Sequence, residues 1–101
     1  MTRREALHNI FVEILGSQNV YFQPPESIKL KYPCIIYETA RPSIFHANDK
    51  KYLRRKCYSV SVIDRDPDSP ISEKIANLPL CSFDRWYASD YMNHFIYTIY
   101  Y

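Results

Sequence analysis

Apolar residues recur at helical spacing near the start of the chain. Ala6, Leu7, Ile10, Phe11, Ile14 and Leu15 form one stripe, and Arg4, Glu5, Asn9 and Glu13 fall on the opposite side. The pattern predicts a helix over 3–15, with Gly16 at the position of a left-handed cap. The spacing then changes from helical to alternating. Asn19-Val20-Tyr21-Phe22 has the β-branched and aromatic character of a strand, and Pro24-Pro25 ends it because proline cannot donate to a ladder. Tyr32 to Thr39 reads as a second strand that opens on Pro33, where proline is tolerated. Residues 42–53 are ambiguous: Ile44-Phe45 could extend a hairpin, while Ala47-Asn48-Asp49-Lys50 has turn composition.

Lys56 to Asp64 alternates most clearly. Tyr58, Val60 and Val62 point one way, and Cys57, Ser59 and Ser61 the other. Asp66-Pro67-Asp68-Ser69-Pro70 then reads as a turn into a second helix, with Ser69 as cap and Pro70 at the first helical position. Ile71, Ile75 and Leu78 give that helix one buried stripe, and Pro79 stops it. Two further strands, Leu80 to Tyr87 and His94 to Tyr101, meet around Ser89-Asp90. The predicted architecture is α+β: a mostly antiparallel sheet of about four to six strands with two helices packed on it, in the order α-β-β(-β)-β-α-β-β. At 101 residues the whole chain is expected to form one domain.

Composition narrows the function more than the fold. The single glycine, Gly16, leaves no glycine-rich loop to cradle a phosphate, and no nucleophile elbow. Asp64-Arg65-Asp66-Pro67-Asp68 resembles the opening of a calcium loop. The required glycine and chelating glutamate are replaced by Ser69 and Ile75, so a helix-entry turn is the better reading. His8, His46 and His94 lie far from one another and from Cys34, Cys57 and Cys81, with no metal-ligand spacing among them. The three cysteines are an odd count at low density, and are read as reduced, partly buried small apolar residues. No catalytic, cofactor or metal site is expected. No signal peptide or membrane span is predicted either.

Two features point toward partners. Lys50-Lys51-Tyr52-Leu53-Arg54-Arg55-Lys56 holds five cations in seven residues. That segment suits contact with DNA or another acidic surface; the plainer reading is a solvated loop leading to an edge strand. The formal net charge of only +2 argues against a dedicated nucleic-acid binder. The second feature is ten tyrosines, five phenylalanines and one tryptophan in so short a chain. The last segment, Phe95 to Tyr101, is apolar or aromatic on both faces and so requires cover on both. Tyr97, Tyr100 and Tyr101 are therefore the expected subunit interface of a homo-oligomer.

Tyr52 to Ser69, Ile75 to Tyr87 and Asn93 to Tyr101 together resemble the tail completion, or tail terminator, proteins of long-tailed bacteriophages, especially those of Gram-positive hosts. Val20 to Pro25 and Tyr32 to Tyr37 fit the same family. The specific parts are the D-R-D-P-D-S turn at 64–69, the C-S-F-D-R segment at 81–85 and the aromatic C-terminus. The resemblance implies a non-enzymatic virion subunit, made in the host cytoplasm, that forms a hexameric ring at the head-proximal end of the tail. Such a ring stops tail-tube polymerisation and docks to the head connector; adaptor or stopper roles in the neck are close variants. Its partners would be the tail tube protein, the connector, and DNA in the lumen, which Lys50, Lys51, Arg54, Arg55 and Lys56 could face. A single-stranded nucleic-acid binder is the reading from a different class.

Overall fold

A computed structural model describes residues 2–40 and 56–101 of the chain. Helix α1 runs Arg3–Leu15, as the stripe predicts. Its start is fixed by a reciprocal cap: the Glu5 amide donates to the Thr2 Oγ1 at 3.1 Å, and the Thr2 amide to the Glu5 carboxylate at 3.4 Å. Its end is set by Gly16 at φ 77°, a left-handed conformation in which the Gly16 amide reaches the Val12 carbonyl at 2.8 Å. Strand β1 is Val20–Phe22, β2 Cys34–Ala40 and β3 Cys57–Asp64. Helix α2 is Pro70–Ala76, and β4 (Cys81–Ser89) and β5 (Met92–Tyr100) close the chain.

The α+β expectation holds. One five-stranded sheet has the order β1-β2-β3-β5-β4, antiparallel throughout except that β1 runs parallel to β2. The optional strand at 42–53 lies outside the described residues. The turn before α2 is held as its sequence suggests. The Asp66 amide donates to Asp64, the Asp68 amide to Asp66, and the Ser69 hydroxyl to Asp64 at 2.8 Å, while Ser69 in turn accepts from the Ser72 amide. The aspartates thus serve as local backbone acceptors at a helix entry.

Both helices pack on the same face of the sheet. Leu7 and Phe11 of α1 and Ile75 of α2 meet Ile35, Tyr37, Tyr58, Val60, Val62, Tyr97 and Ile99, all buried. Tyr37 is the hub. Its ring centroid lies 5.2 Å from that of Phe11 and 5.0 Å from that of Phe22, at tilts suited to the ring quadrupoles. Its hydroxyl accepts from the Arg4 guanidinium at 3.4 Å and lies 2.8 Å from Nδ1 of His8. Arg4 therefore does not face away from the core as its place in the helical pattern suggests; it folds over the Phe22 ring at 4.6 Å. On the opposite face Cys34, Ile63 and Met92 form a smaller cluster with Tyr21, Leu30 and Ile36.

Burial, and then the nearby Arg4 charge, hold His8 below the ordinary histidine range. A neutral His8 accepts the Tyr37 proton, and Tyr37 accepts from Arg4, so the chain of bonds is complete only when His8 is uncharged. Because the folded value is the lower one, the unfolded chain takes up the proton first as pH falls. Stability is full above about pH 6.5, declines below it, and flattens beneath the folded value. Thermal midpoints taken between about pH 7.5 and 5 should show this decline, and a His8→Gln variant should lose part of it.

Candidate functional site

The surface of the fold is least protected along β4. It is an edge strand of nine residues in which every position after Cys81 is exposed. An edge of this length presents unpaired amide and carbonyl groups to any neighbouring strand. Seven large hydrophobic residues are exposed among those described, and five of them, Leu80, Phe83, Trp86, Tyr87 and Tyr91, lie on or beside this strand. Scattered apolar residues are ordinary on a surface, and a concentration on one edge makes that edge a candidate contact surface.

A bulge arranges these side chains. Phe83 pairs with Tyr97 and Arg85 with Ile96, leaving Asp84 as the extra residue. The insertion resets the alternation, so Phe83 and Trp86 both stand on the helix-bearing side, opposite Tyr97 and Phe95. The helices leave this stretch of β4 open, and Phe83 and Trp86 remain 57% and 51% exposed. Phe83 packs edge-on against Tyr97 at 5.4 Å. The Trp86 indole donates to Asn93 at 3.2 Å, and Asn93 donates to the Arg65 carbonyl at 3.1 Å, which fixes the indole in its outward position. On the other side Tyr87 stacks on His94 at 4.5 Å and 9°.

The hairpin joining β4 to β5 turns on Asp90 and Tyr91, with φ of 53° and 64°. A two-residue turn with both central residues left-handed matches the twist of the strands, and glycine or asparagine normally fills it. Tyrosine in this conformation is strained by about 1–3 kcal/mol. Here the strained tyrosine is also completely exposed.

The tyrosines expected to form the interface are elsewhere. Tyr97 and Tyr100 are only 4% and 7% exposed, so they belong to the interior of the fold and do not form a contact surface. The Tyr97 hydroxyl bonds to that of buried Ser72 on α2. The physical reason is that β5 sits between β3 and β4, and a strand apolar on both faces is satisfied at the centre of a sheet. The exposed aromatic surface has moved one strand outward. Tyr101 is half-buried under the Arg3 guanidinium, 5.2 Å from its ring centroid. The outward strand carried a legible signal: Asp84-Arg85 places two charges in the middle of an aromatic strand, which is typical of a sheet edge.

No family model, curated protein or solved structure matches this chain.

Of the basic segment, Lys50, Lys51, Arg54 and Arg55 lie outside the described residues. Lys56 is described and exposed; its backbone exchanges two hydrogen bonds with Tyr101, at 3.3 and 2.9 Å. Its side chain lines a groove shared with Arg3 and Arg4. Burial pushes the Cys34 thiol up to about 12 and that of Cys81 to about 11, and raises Cys57 as well. These shifts oppose thiolate formation, the reverse of what a nucleophilic cysteine requires. Among the described residues no group of three metal-ligating side chains converges, and no helix is long and apolar enough to cross a membrane.

Proposed function

We propose that this chain is an assembly subunit that meets its neighbours through β4 and the β4–β5 hairpin. The observation that carries this reading is the exposed aromatic edge, with Phe83, Trp86 and a strained, fully exposed Tyr91. Tryptophan and tyrosine are the residues most often found to dominate protein–protein contacts. A matching receiver lies at the other end of the hairpin. Leu7, Ile10, Leu78, Leu80 and Ile99 line an apolar groove of about 250 Å³. A projecting aromatic hairpin tip at one end of a subunit and an apolar groove at the other suit head-to-tail contact between identical copies. Such a contact closes into a ring when its rotation permits.

The resemblance to tail terminator proteins supports the finer statement. On this reading the ring is a hexamer at the head-proximal end of a long phage tail, ending the tube and joining it to the head connector. The specific segments of that resemblance fall on structural parts used here: the D-R-D-P-D-S turn enters α2, and the C-S-F-D-R segment is the first half of β4. Catalysis forms no part of the proposal.

Electron microscopy tests both levels. At high subunit concentration the purified chain should form closed rings of uniform copy number. Gold-labelled antibody against it should mark the head–tail junction of intact virions. Open filaments or monomers alone would overturn the ring, and label elsewhere on the particle would overturn its place in the neck.

A further inference from the structure

Among the described residues, the groove at the start of α1 gathers three cations and no carboxylate. Arg3 and Arg4 enter it from the first turn of the helix and Lys56 from the strand beside it. Thr39, Phe22 and Tyr101 complete most of its described wall, around a volume of about 490 Å³. That size falls among small-ligand sites, which run to about 300–1,000 Å³. No carboxylate belongs to the described wall, and Glu5, next to Arg4 in the sequence, is occupied with the Thr2 cap.

Two features make this more than a solvated basic face. The guanidiniums are held in place: Arg3 lies 5.2 Å above the Tyr101 ring, and Arg4 lies 4.6 Å above Phe22 with a hydrogen bond to buried Tyr37. Mobile surface cations lose entropy on gripping a ligand, whereas stacked guanidiniums have already lost most of theirs. The second feature is that the charges stand where the fold opposes them. Cations in the first turn of a helix face the positive end of its dipole, which favours acids instead. Local rules are broken in this way at functional sites.

We infer that the groove bounded by Arg3, Arg4 and Lys56 binds a phosphate group. Two planar guanidinium forks and a lysine ammonium match the charge and the several acceptor oxygens of a phosphate better than one carboxylate could. The rings of Phe22 and Tyr101 already carry guanidiniums on their faces, so they leave little open surface for stacking a base. The site therefore reads the phosphate and not the nucleotide sequence. Its ligand is either the backbone of a single-stranded nucleic acid or a free phosphate compound. The inference is independent of ring formation, because all three cations belong to one subunit.

Binding to the full chain can be followed by fluorescence anisotropy with a labelled single-stranded DNA of about twelve nucleotides. Inorganic pyrophosphate serves as competitor and as a separate calorimetric titrant. With three cations engaged, the logarithm of affinity should fall against the logarithm of salt with a slope near −2, at about 0.7 per contact. Oligo-dT and oligo-dA should bind alike. Arg3→Gln combined with Lys56→Gln should weaken binding by about tenfold or more, the scale of one or two charge-assisted hydrogen bonds. That pair spares Arg4 and its contact with Tyr37, so its melting temperature should match the parent. Adding Arg4→Gln should abolish the remainder.

DNA binding that pyrophosphate displaces supports the site with a strand as its source; pyrophosphate binding alone supports it with a free phosphate as its source. Absence of both, or equal binding by the folded Arg3→Gln/Lys56→Gln variant, overturns the inference. Rings that form normally while the groove binds nothing would sink this inference and leave the assembly reading standing.

Discussion

Tyr37→Ala is expected to remove most of the stability of the subunit. Tyr37 is fully buried and its ring meets Phe11, Phe22 and Tyr58, with centroids 5.2, 5.0 and 6.1 Å away. Truncating a buried aromatic to alanine costs about 3–5 kcal/mol, through lost transfer energy and an unfilled cavity. Each aromatic pair adds about 0.5–1.5 kcal/mol beyond area. The hydroxyl also links Arg4 of α1 to His8, one turn further along the same helix, so its loss loosens the seating of α1 on β2. A domain of this size has about 5–15 kcal/mol in total. Urea unfolding should therefore place Tyr37→Ala near its midpoint in water or beyond it. Tyr37→Phe keeps the ring and should lose about 1–3 kcal/mol, the cost of leaving the partners of the hydroxyl unpaired. An alanine variant within about 1 kcal/mol of the parent would show that the core does not centre on this ring.

The same residue shows how much of the fold was legible in the sequence. Helix α1 was visible because its stripe and its Gly16 terminator are both local signals, and local signals agree with the outcome when packing supports them. Helix α2 was equally plain, since Ser69 and Pro70 mark its entry. Strand β3 alternates cleanly because one face meets both helices and the other a more polar layer. What local pattern does not carry is strand order. Nothing in the sequence of β5 says that β4 will lie outside it, and that single fact reverses the reading of Tyr97 and Tyr100 from surface to core. The bulge at Asp84 was hidden for a related reason. It changes which side Trp86 occupies through a pairing between distant residues, and no turn residue announces it.

The candidate surfaces divide along the same line. The aromatic richness of the C-terminal third was evident, and it raised the expectation that a partner covers some of it. Which rings those were depended on the sheet. The cationic groove lay further from view, because Arg3 and Lys56 are more than fifty positions apart. They meet because α1 starts above the end of the sheet where β3 begins and β5 stops, with Tyr101 between them. Lys56 is the member of the basic run that falls among the described residues, and it lines that groove.

The second large effect separates the edge from the core. Phe83→Lys combined with Trp86→Lys should abolish self-association while leaving the subunit folded. Both side chains are more than half exposed on an edge strand, so exchanging them should change subunit stability by less than about 1 kcal/mol. At an interface the same exchange removes two aromatic anchors and buries two charges in their place. A single anchor is worth about 2 kcal/mol or more, so the pair should raise the dissociation constant at least a hundredfold. Sedimentation velocity over a wide concentration range measures the association, and thermal melts measure the fold. Tyr97→Ala is the opposite case: it should lower the melting temperature markedly, because it opens a cavity beneath α2 and strips Ser72 of its partner. Salt distinguishes the edge from the groove, since an apolar contact responds weakly to ionic strength and phosphate binding steeply. If the double lysine variant assembled as the parent does, β4 would be an ordinary solvated edge guarded by Asp84 and Arg85, and the contact between subunits would have to lie on another face.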